Sequence, residues 1–441
     1  MSTIPKRVST ALINSLSAGV VPRIGLEHIA VGREKEMAAL AQDLDNIAEG
    51  GAAFRFIVGR YGAGKSFILQ LLRNSALQQG FVVVDADLSP ERRLAGTNNQ
   101  SVATYRELMP RLSTRTRPDG GALIAILEGW INDIQNQVAK TTGMRPNDEG
   151  FDNQVEEKIR EVVKDIEGLV HGFDFANVII TYWRGYRLDD DEKKEAALRW
   201  LRGEFSTKTE AKLALGERVS IIDDDGWYDY IKLLAKFVSD IGYKGLLVLI
   251  DEVVHLYKIN HTLSRQKNYD KILAMFNDTR GGGAEYLGII MGGTPQFLED
   301  KRRGLYSDEA LRTRLTRSRF VENDLQDTSA PVIRLEPLSV EDIYQILQRL
   351  IVVHAAHYNY KNTLKKGELQ EFINEVANRL GAEEFLTPRE VVRDFITILN
   401  LNQQNPKVSF SQLLNGANFK PTPPGKNHDS DEDSKFAEFT L

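Results

Sequence analysis

The stretch IVGRYGAGKSF, residues 57–67, decides how the rest of the chain is read. It sets Gly59, Gly64, Lys65 and Ser66 at the G-x-x-x-x-G-K-S spacing of a Walker A loop. Spacing alone also fits a glycine-rich turn with an incidental lysine, so the flanks carry the decision. Upstream, Phe54 to Val58 is a short, mostly apolar run suited to a buried strand; downstream, Ile68, Leu69, Leu71 and Leu72 recur as the core face of a helix does. Strand, glycine loop and helix together are what a phosphate cradle requires, because the glycines let successive N–H groups turn inward and the helix presents its positive end to the same anion. The candidate nucleotide contacts are therefore Gly59, Arg60, Tyr61, Gly62, Ala63, Gly64, Lys65, Ser66 and Phe67, with Lys65 reaching the β/γ-phosphates and Ser66 ligating magnesium.

Four further apolar segments read as strands: FVVVDADLS from Phe81, GLLVLIDE from Gly245, YLGIIMGGT from Tyr286 and PVIRLEP from Pro331. Leu246–Ile250 and Leu287–Met291 are apolar at nearly every position, as strands covered on both faces are, so the expectation is an α/β fold on a five-stranded parallel sheet. Far more chain separates the second and third strands than a crossover helix needs, and residues of about 95–225 are read as containing a helical insertion. One stripe there holds Leu123, Leu127, Trp130, Ile131, Ile134 and Val138; a second holds Val155, Ile159, Val162, Ile166 and Leu169.

After the fifth strand Ser339 and Asp342 resemble a capping box ahead of Ile343, Ile346, Leu347 and Leu350. Thr387 and Pro388 open a second helix whose stripe is Val391, Val392, Phe395 and Leu399. The resulting division is an N-terminal segment (1–30), a P-loop core (31–336), a helical lid (337–404) and a tail (405–441). The tail combines a proline hinge, an acidic run and the pair Phe436 and Phe439, and its composition predicts disorder.

The 441 residues carry a formal charge of −6, so nucleic acid would have to meet a local basic patch rather than the whole surface. There is no cysteine, which excludes disulfides and thiolate metal sites and fits a cytoplasmic protein. No apolar run approaches the roughly 20 residues a membrane helix needs, and Asn14, Ser15 and Ser17 interrupt the only stretch that begins like a signal peptide. His354 and His357 have no evident companions for a metal site.

The second chemical signal is LLVLIDEVVHL, a strand ending in Asp251 and Glu252. Strand ends are where α/β folds place ligands. Asp251 would hold magnesium, and Glu252 would orient and deprotonate the attacking water; the plainer alternative is a strand ended by solvated acids. For that chemistry these acids and Lys65 must meet around one triphosphate.

VGREKE at Val31–Glu36, MGGTPQF with Thr294 after the fourth strand, and TPRE with Arg389 complete the pattern. Together they resemble the AAA+ and STAND ATPases of the initiator-like branch. That resemblance implies that main chain at Val31 and Gly32 holds adenine, that Thr294 senses the γ-phosphate and that Arg389 reports it to the lid. Plainer readings stay open: Arg33 and Glu34 as a helix start, Thr294 as a helix cap, Arg389 as a surface residue. Gly292 and Gly293 depart from the polar sensor of many such proteins, which weakens Thr294 most.

The basic stretch 301–319 holds Lys301, Arg302, Arg303, Arg312, Arg314, Arg317 and Arg319. Arg314, then Arg312, is the candidate for an arginine finger entering a neighbouring subunit of a homo-oligomer; DNA backbone contact and a solvated face are the other readings. Across residues 5–400 the chain also resembles the ATP-binding proteins of BREX-type phage-defence loci, the BrxC/BrxD group, through its opening segment IPKRVSTALINSLSAGVVPRIGLEHIAVGREKE, its long insertion and the motifs above. The resemblance implies ATP and Mg2+ as cofactors, hydrolysis coupled to remodelling of DNA or partners, and a helicase-like or other defence protein as partner, which the tail could dock. An ATP-held DNA-binding or helicase-recruiting module with little turnover is the alternative.

Overall fold

The computed structural model describes residues 4–316, 327, 329–362, 364–380 and 387–415. Short 3-10 turns aside, the elements are, in chain order, α1 (Lys6–Ser17), α2 (Glu34–Ala48), β1 (Ala52–Val58), α3 (Lys65–Gln79), β2 (Val82–Asp87), α4 (Gln100–Leu108), α5 (Ala122–Thr142), α6 (Phe151–Glu167), α7 (Gly172–Leu188), α8 (Asp191–Leu201), α9 (Lys208–Leu215), α10 (Trp227–Asp240), β3 (Leu246–Asp251), α11 (Val254–Tyr257), α12 (Thr262–Gly281), β4 (Leu287–Gly293), α13 (Pro295–Glu299), α14 (Glu309–Leu315), β5 (Val332–Arg334), α15 (Val340–Tyr358), α16 (Lys366–Leu380), α17 (Pro388–Gln404) and α18 (Phe410–Asn415). The five apolar segments form the five strands of one parallel sheet, ordered β2-β3-β4-β1-β5. Val82 to Asp87 lie in register with Leu246 to Asp251, and Leu246 to Ile250 with Leu287 to Met291. These strands are buried along nearly their whole length, which is why their sequences do not alternate.

The chain divides into two compact units: Met1–Ala38 with Ile57–Leu71 and Ile333–Leu441, and Ala39–Phe56 with Leu72–Val332. In the second unit α4–α10 fall between β2 and β3. The α5 stripe is buried as its spacing predicts. The α6 stripe needs correction: Val155, Ile159, Val163 and Ile166 are buried, Val162 is half-buried, and Leu169 lies beyond the helix end and is exposed. The corrected spacing of four, four and three keeps a single face, whereas Val162 sits about 100° around the helix from Val163. Trp130 and Phe175 both pack edge-on against Phe237 of α10, with ring centroids 5.1 and 5.7 Å away.

The first unit is helical. Ser339 and Asp342 form the capping box, the Asp342 amide donating to Ser339 Oγ at 3.1 Å and the Ser339 amide to Asp342 Oδ2 at 3.0 Å. Ile343, Leu347 and Leu350 of α15 share one core with Phe395, Ile396 and Leu399 of α17. α1 also belongs to it: Leu12 and Ile13 are buried there and α1 packs on α15 and α17, so the opening segment is a structural part of the helical unit. Two of its serines are satisfied locally, Ser17 Oγ donating to the Ile13 carbonyl at 2.6 Å and Ser9 Oγ to that of Lys6 at 3.0 Å. Phe410 and Leu414 of α18 enter the same core, so ordered packing continues beyond Asn405, where composition alone begins the tail. Phe436 and Phe439 lie outside the described residues, as do Arg317 and Arg319. Among the described residues no helix is long and apolar enough to cross a membrane.

Candidate nucleotide site

The loop after β1 is built by its glycines. Gly62 and Gly64 have φ of +79° and +92°, a region that a side chain makes costly, and α3 starts immediately afterwards at Lys65. A Cβ on Gly59 would lie 3.1 Å from that of Ala63 and 3.2 Å from that of Leu335. A Cβ on Gly62 would lie 2.8 Å from that of Thr387. Alternation of ordinary and left-handed backbone at a helix start is what forms an anion-binding nest of N–H groups. Lys65 folds back over the loop, its Nζ donating to the carbonyls of Gly59 at 3.0 Å and Arg60 at 3.1 Å, and Ser66 follows in the first turn. Phe67 and Leu71 turn into the helical core. Together these pieces fit a phosphate group: a backbone cradle, the Lys65 cation at its rim, and the N-terminus of the 15-residue α3 behind it.

The same unit supplies walls to the loop. Val31 is buried, and Gly32 has φ +71° with room for no side chain, since a Cβ there would lie 2.9 Å from the Asp342 carboxyl carbon. The Ala30 carbonyl accepts from Arg349 of α15. Arg33 is 7% exposed; it pairs with Glu36 at 3.2 Å and donates through Nη2 to the carbonyls of Ala63 (3.1 Å) and Glu336 (2.9 Å). Arg389, at the start of α17, donates to Tyr61 Oη at 2.7 Å, its guanidinium carbon 5.0 Å from the ring centroid. Beside it, Thr387 stands at the N-cap without making the capping bond. Among the described residues its Oγ1 and Oε2 of Glu390 are buried with no hydrogen-bond partner, and burial pushes the Glu390 carboxyl above its ordinary pKa. Sequence marks Thr387 only as the start of a helix and Glu390 not at all; the fold sets Thr387 against Gly62.

In the second unit the acidic pair ends β3. Glu252 adopts φ +56°, left-handed backbone that is strained for a residue with a Cβ, and its amide donates to Asp251 Oδ1 at 2.8 Å. Parallel register sets Asp87, the last residue of β2, beside Asp251. Burial, then the Asp251 carboxylate, pushes the pKa of Asp87 up, while Arg111, 3.8 Å away, opposes this. Asp87 is an acid that sequence reasoning passed over, although it ends an apolar run as Asp251 does.

Thr294 caps α13, its Oγ1 accepting from the Phe297 amide at 3.3 Å. Of the two glycines before it, Gly293 has a packing reason, since a Cβ there would press on the Phe297 ring at 3.0 Å, while the Gly292 carbonyl accepts from the Val253 amide at 3.3 Å. Arg312 and Arg314 lie exposed on α14, Arg312 3.6 Å from Glu309 and Arg314 bonded to the Ala310 carbonyl at 3.0 Å. Arg303 is tied to the Tyr257 carbonyl and to Asn260, while Lys301 and Arg302 project to solvent.

A model of the family described as BREX system ATP-binding protein BrxC/D matches residues 4–418, nearly the whole chain. No curated protein matches it. The chain belongs to the BREX system ATP-binding protein BrxC/D family, and with that to a phage-defence system whose member binds ATP.

Proposed function

We propose that this BREX ATP-binding protein is a magnesium-dependent ATPase of the AAA+/STAND type, working in the cytoplasm, that couples nucleotide binding and hydrolysis to remodelling of DNA or of a partner protein. The observation that carries the reading is the loop 59–66, with its left-handed glycines, its folded-back Lys65 and Arg389 stacked on its Tyr61. The amides from Gly59 to Phe67 would hold the phosphates together with Lys65, Val31 and Gly32 would line the base, and Ser66 and Asp251 would ligate magnesium, which supplies charge neutralisation at the phosphates. Glu252 would take the proton of the attacking water. Its strained backbone supports a functional rather than an incidental position, since such strain persists where function holds it. Arg314, or Arg312, would act across a homo-oligomer as a finger. Thr294 already spends its hydroxyl on a cap, so we give it the smallest part.

Turnover of Mg·ATP tests the reading: the wild-type protein should hydrolyse ATP, and Lys65→Ala should lose both binding and turnover. Binding without turnover would favour the nucleotide-held DNA-binding or helicase-recruiting module instead. For DNA, the exposed Lys301 and Arg302 would contact phosphate, and replacing both with alanine should reduce the log–log salt slope of binding by about 1.8. An unchanged slope would remove that surface. A helicase-like partner, docked through the tail, belongs to the same proposal.

A further inference from the structure

We infer that Arg33 is a positioning residue for phosphate binding, acting by fixing the orientation of the peptide between Ala63 and Gly64. This deepens the reading above and rests on it. The carbonyl and the N–H of one planar trans peptide point in opposite directions. Arg33 Nη2 donates to the Ala63 carbonyl at 3.1 Å, so the guanidinium holds that oxygen to one side and turns the Gly64 N–H to the other. Gly64 is the residue most able to lose this orientation: it has φ +92°, and a Cβ placed there would meet only Phe67 Cβ at 4.0 Å, so side-chain packing does little to hold the peptide.

The same nitrogen donates to the Glu336 carbonyl at 2.9 Å, and Nη1 faces Glu36 at 3.2 Å. One buried, planar cation thus ties together the segment after Gly32, the loop, and the chain just beyond β5. The geometry needs a fork: lysine is a single point charge on a flexible stem and cannot hold the Glu36 carboxylate and both carbonyls in fixed directions. A residue that served only as a buried ion pair would need Glu36 alone.

The test compares Arg33→Lys, Arg33→Gln and Glu36→Gln in the full chain, measuring ATP affinity by calorimetry and the thermal midpoint of each variant. Positioning predicts that Arg33→Lys, which keeps a cation beside Glu36, weakens ATP at least tenfold, out of proportion to the fall in its midpoint when set against the other two variants. Glu36→Gln, which leaves both carbonyl bonds in place, should weaken ATP less than Arg33→Lys does. Wild-type ATP affinity in Arg33→Lys, or a loss that follows the midpoint across all three variants, would overturn the inference and leave Arg33 a structural residue. ATP affinity left unchanged by Lys65→Ala would instead overturn the reading of the loop itself, so the two failures are distinguishable.

Discussion

Gly62→Ala tests the closeness of the loop to α17. The new methyl would lie 2.8 Å from Thr387 Cβ and 3.1 Å from its Cγ2 and Oγ1, against an ordinary carbon–carbon contact of about 3.5–4.0 Å. Overpacking of this kind costs about 1–3 kcal/mol. The backbone, at φ +79°, adds about 1–2 kcal/mol for a residue with a Cβ. Together, about 2–5 kcal/mol of strain favours loop conformations other than the one that presents the cradle, and apparent affinity falls with the competent fraction. Calorimetric titration with Mg·ATP should therefore show weakening of about thirtyfold to a few thousandfold, at about 1.4 kcal/mol per factor of ten. Adding Thr387→Gly removes the clashing atom at little cost, because the Thr387 side chain makes no capping bond. The double variant should recover the steric share, about five- to a hundredfold, and keep the backbone share. Unchanged ATP affinity in Gly62→Ala would refute the reasoning, and so would a double variant no better than the single one.

Two further outcomes check the units separately. His354 is buried in the helical unit, where Nε2–H donates to Asn400 Oδ1 at 3.0 Å and Nδ1 accepts from Tyr360 Oη at 2.9 Å; burial lowers its pKa from the ordinary 6.5. The unfolded chain then binds more protons, so its stabilising contribution is complete above about pH 6.5 and is lost as pH falls toward the folded value. Urea midpoints followed by circular dichroism should drop between pH 7.5 and 5, with a shallower drop in His354→Gln; His357, shifted the same way by burial and Lys6, retains the remainder. In the second unit, Ile159→Ala should cost about 2–5 kcal/mol and Leu169→Ala less than about 0.5 kcal/mol, read by tryptophan fluorescence, since Trp130, Trp183, Trp200 and Trp227 all belong to that unit.

The strands were legible because parallel strands covered on both faces leave nearly unbroken apolar runs; of the two left-handed glycines in the loop after β1 the motif spacing marks Gly64, while Gly62 falls at one of its unspecified positions. Local chemistry was legible as well: the Ser339–Asp342 box depends on residues three apart and needs no tertiary partner. What sequence could not show was set by distance along the chain. α1 gains its buried face only against α15 and α17, and Arg33 reaches carbonyls 30 and 303 positions away. The contact of Thr387 with Gly62 and the burial of the Glu390 carboxyl likewise show only in the fold. Val163 rather than Val162 faces the core because adjacent valines leave helical phase ambiguous, and the neighbouring helices decide it.

The central claim is hydrolysis, and Glu252→Gln tests it most directly, because the amide keeps the shape of the carboxylate and removes its basicity. Single-turnover cleavage of Mg·ATP by wild type and variant, with affinity measured in parallel, should show near-normal binding and at least a hundredfold slower cleavage in Glu252→Gln. Equal cleavage rates in the two proteins, or no cleavage above background by the wild type, would contradict the account.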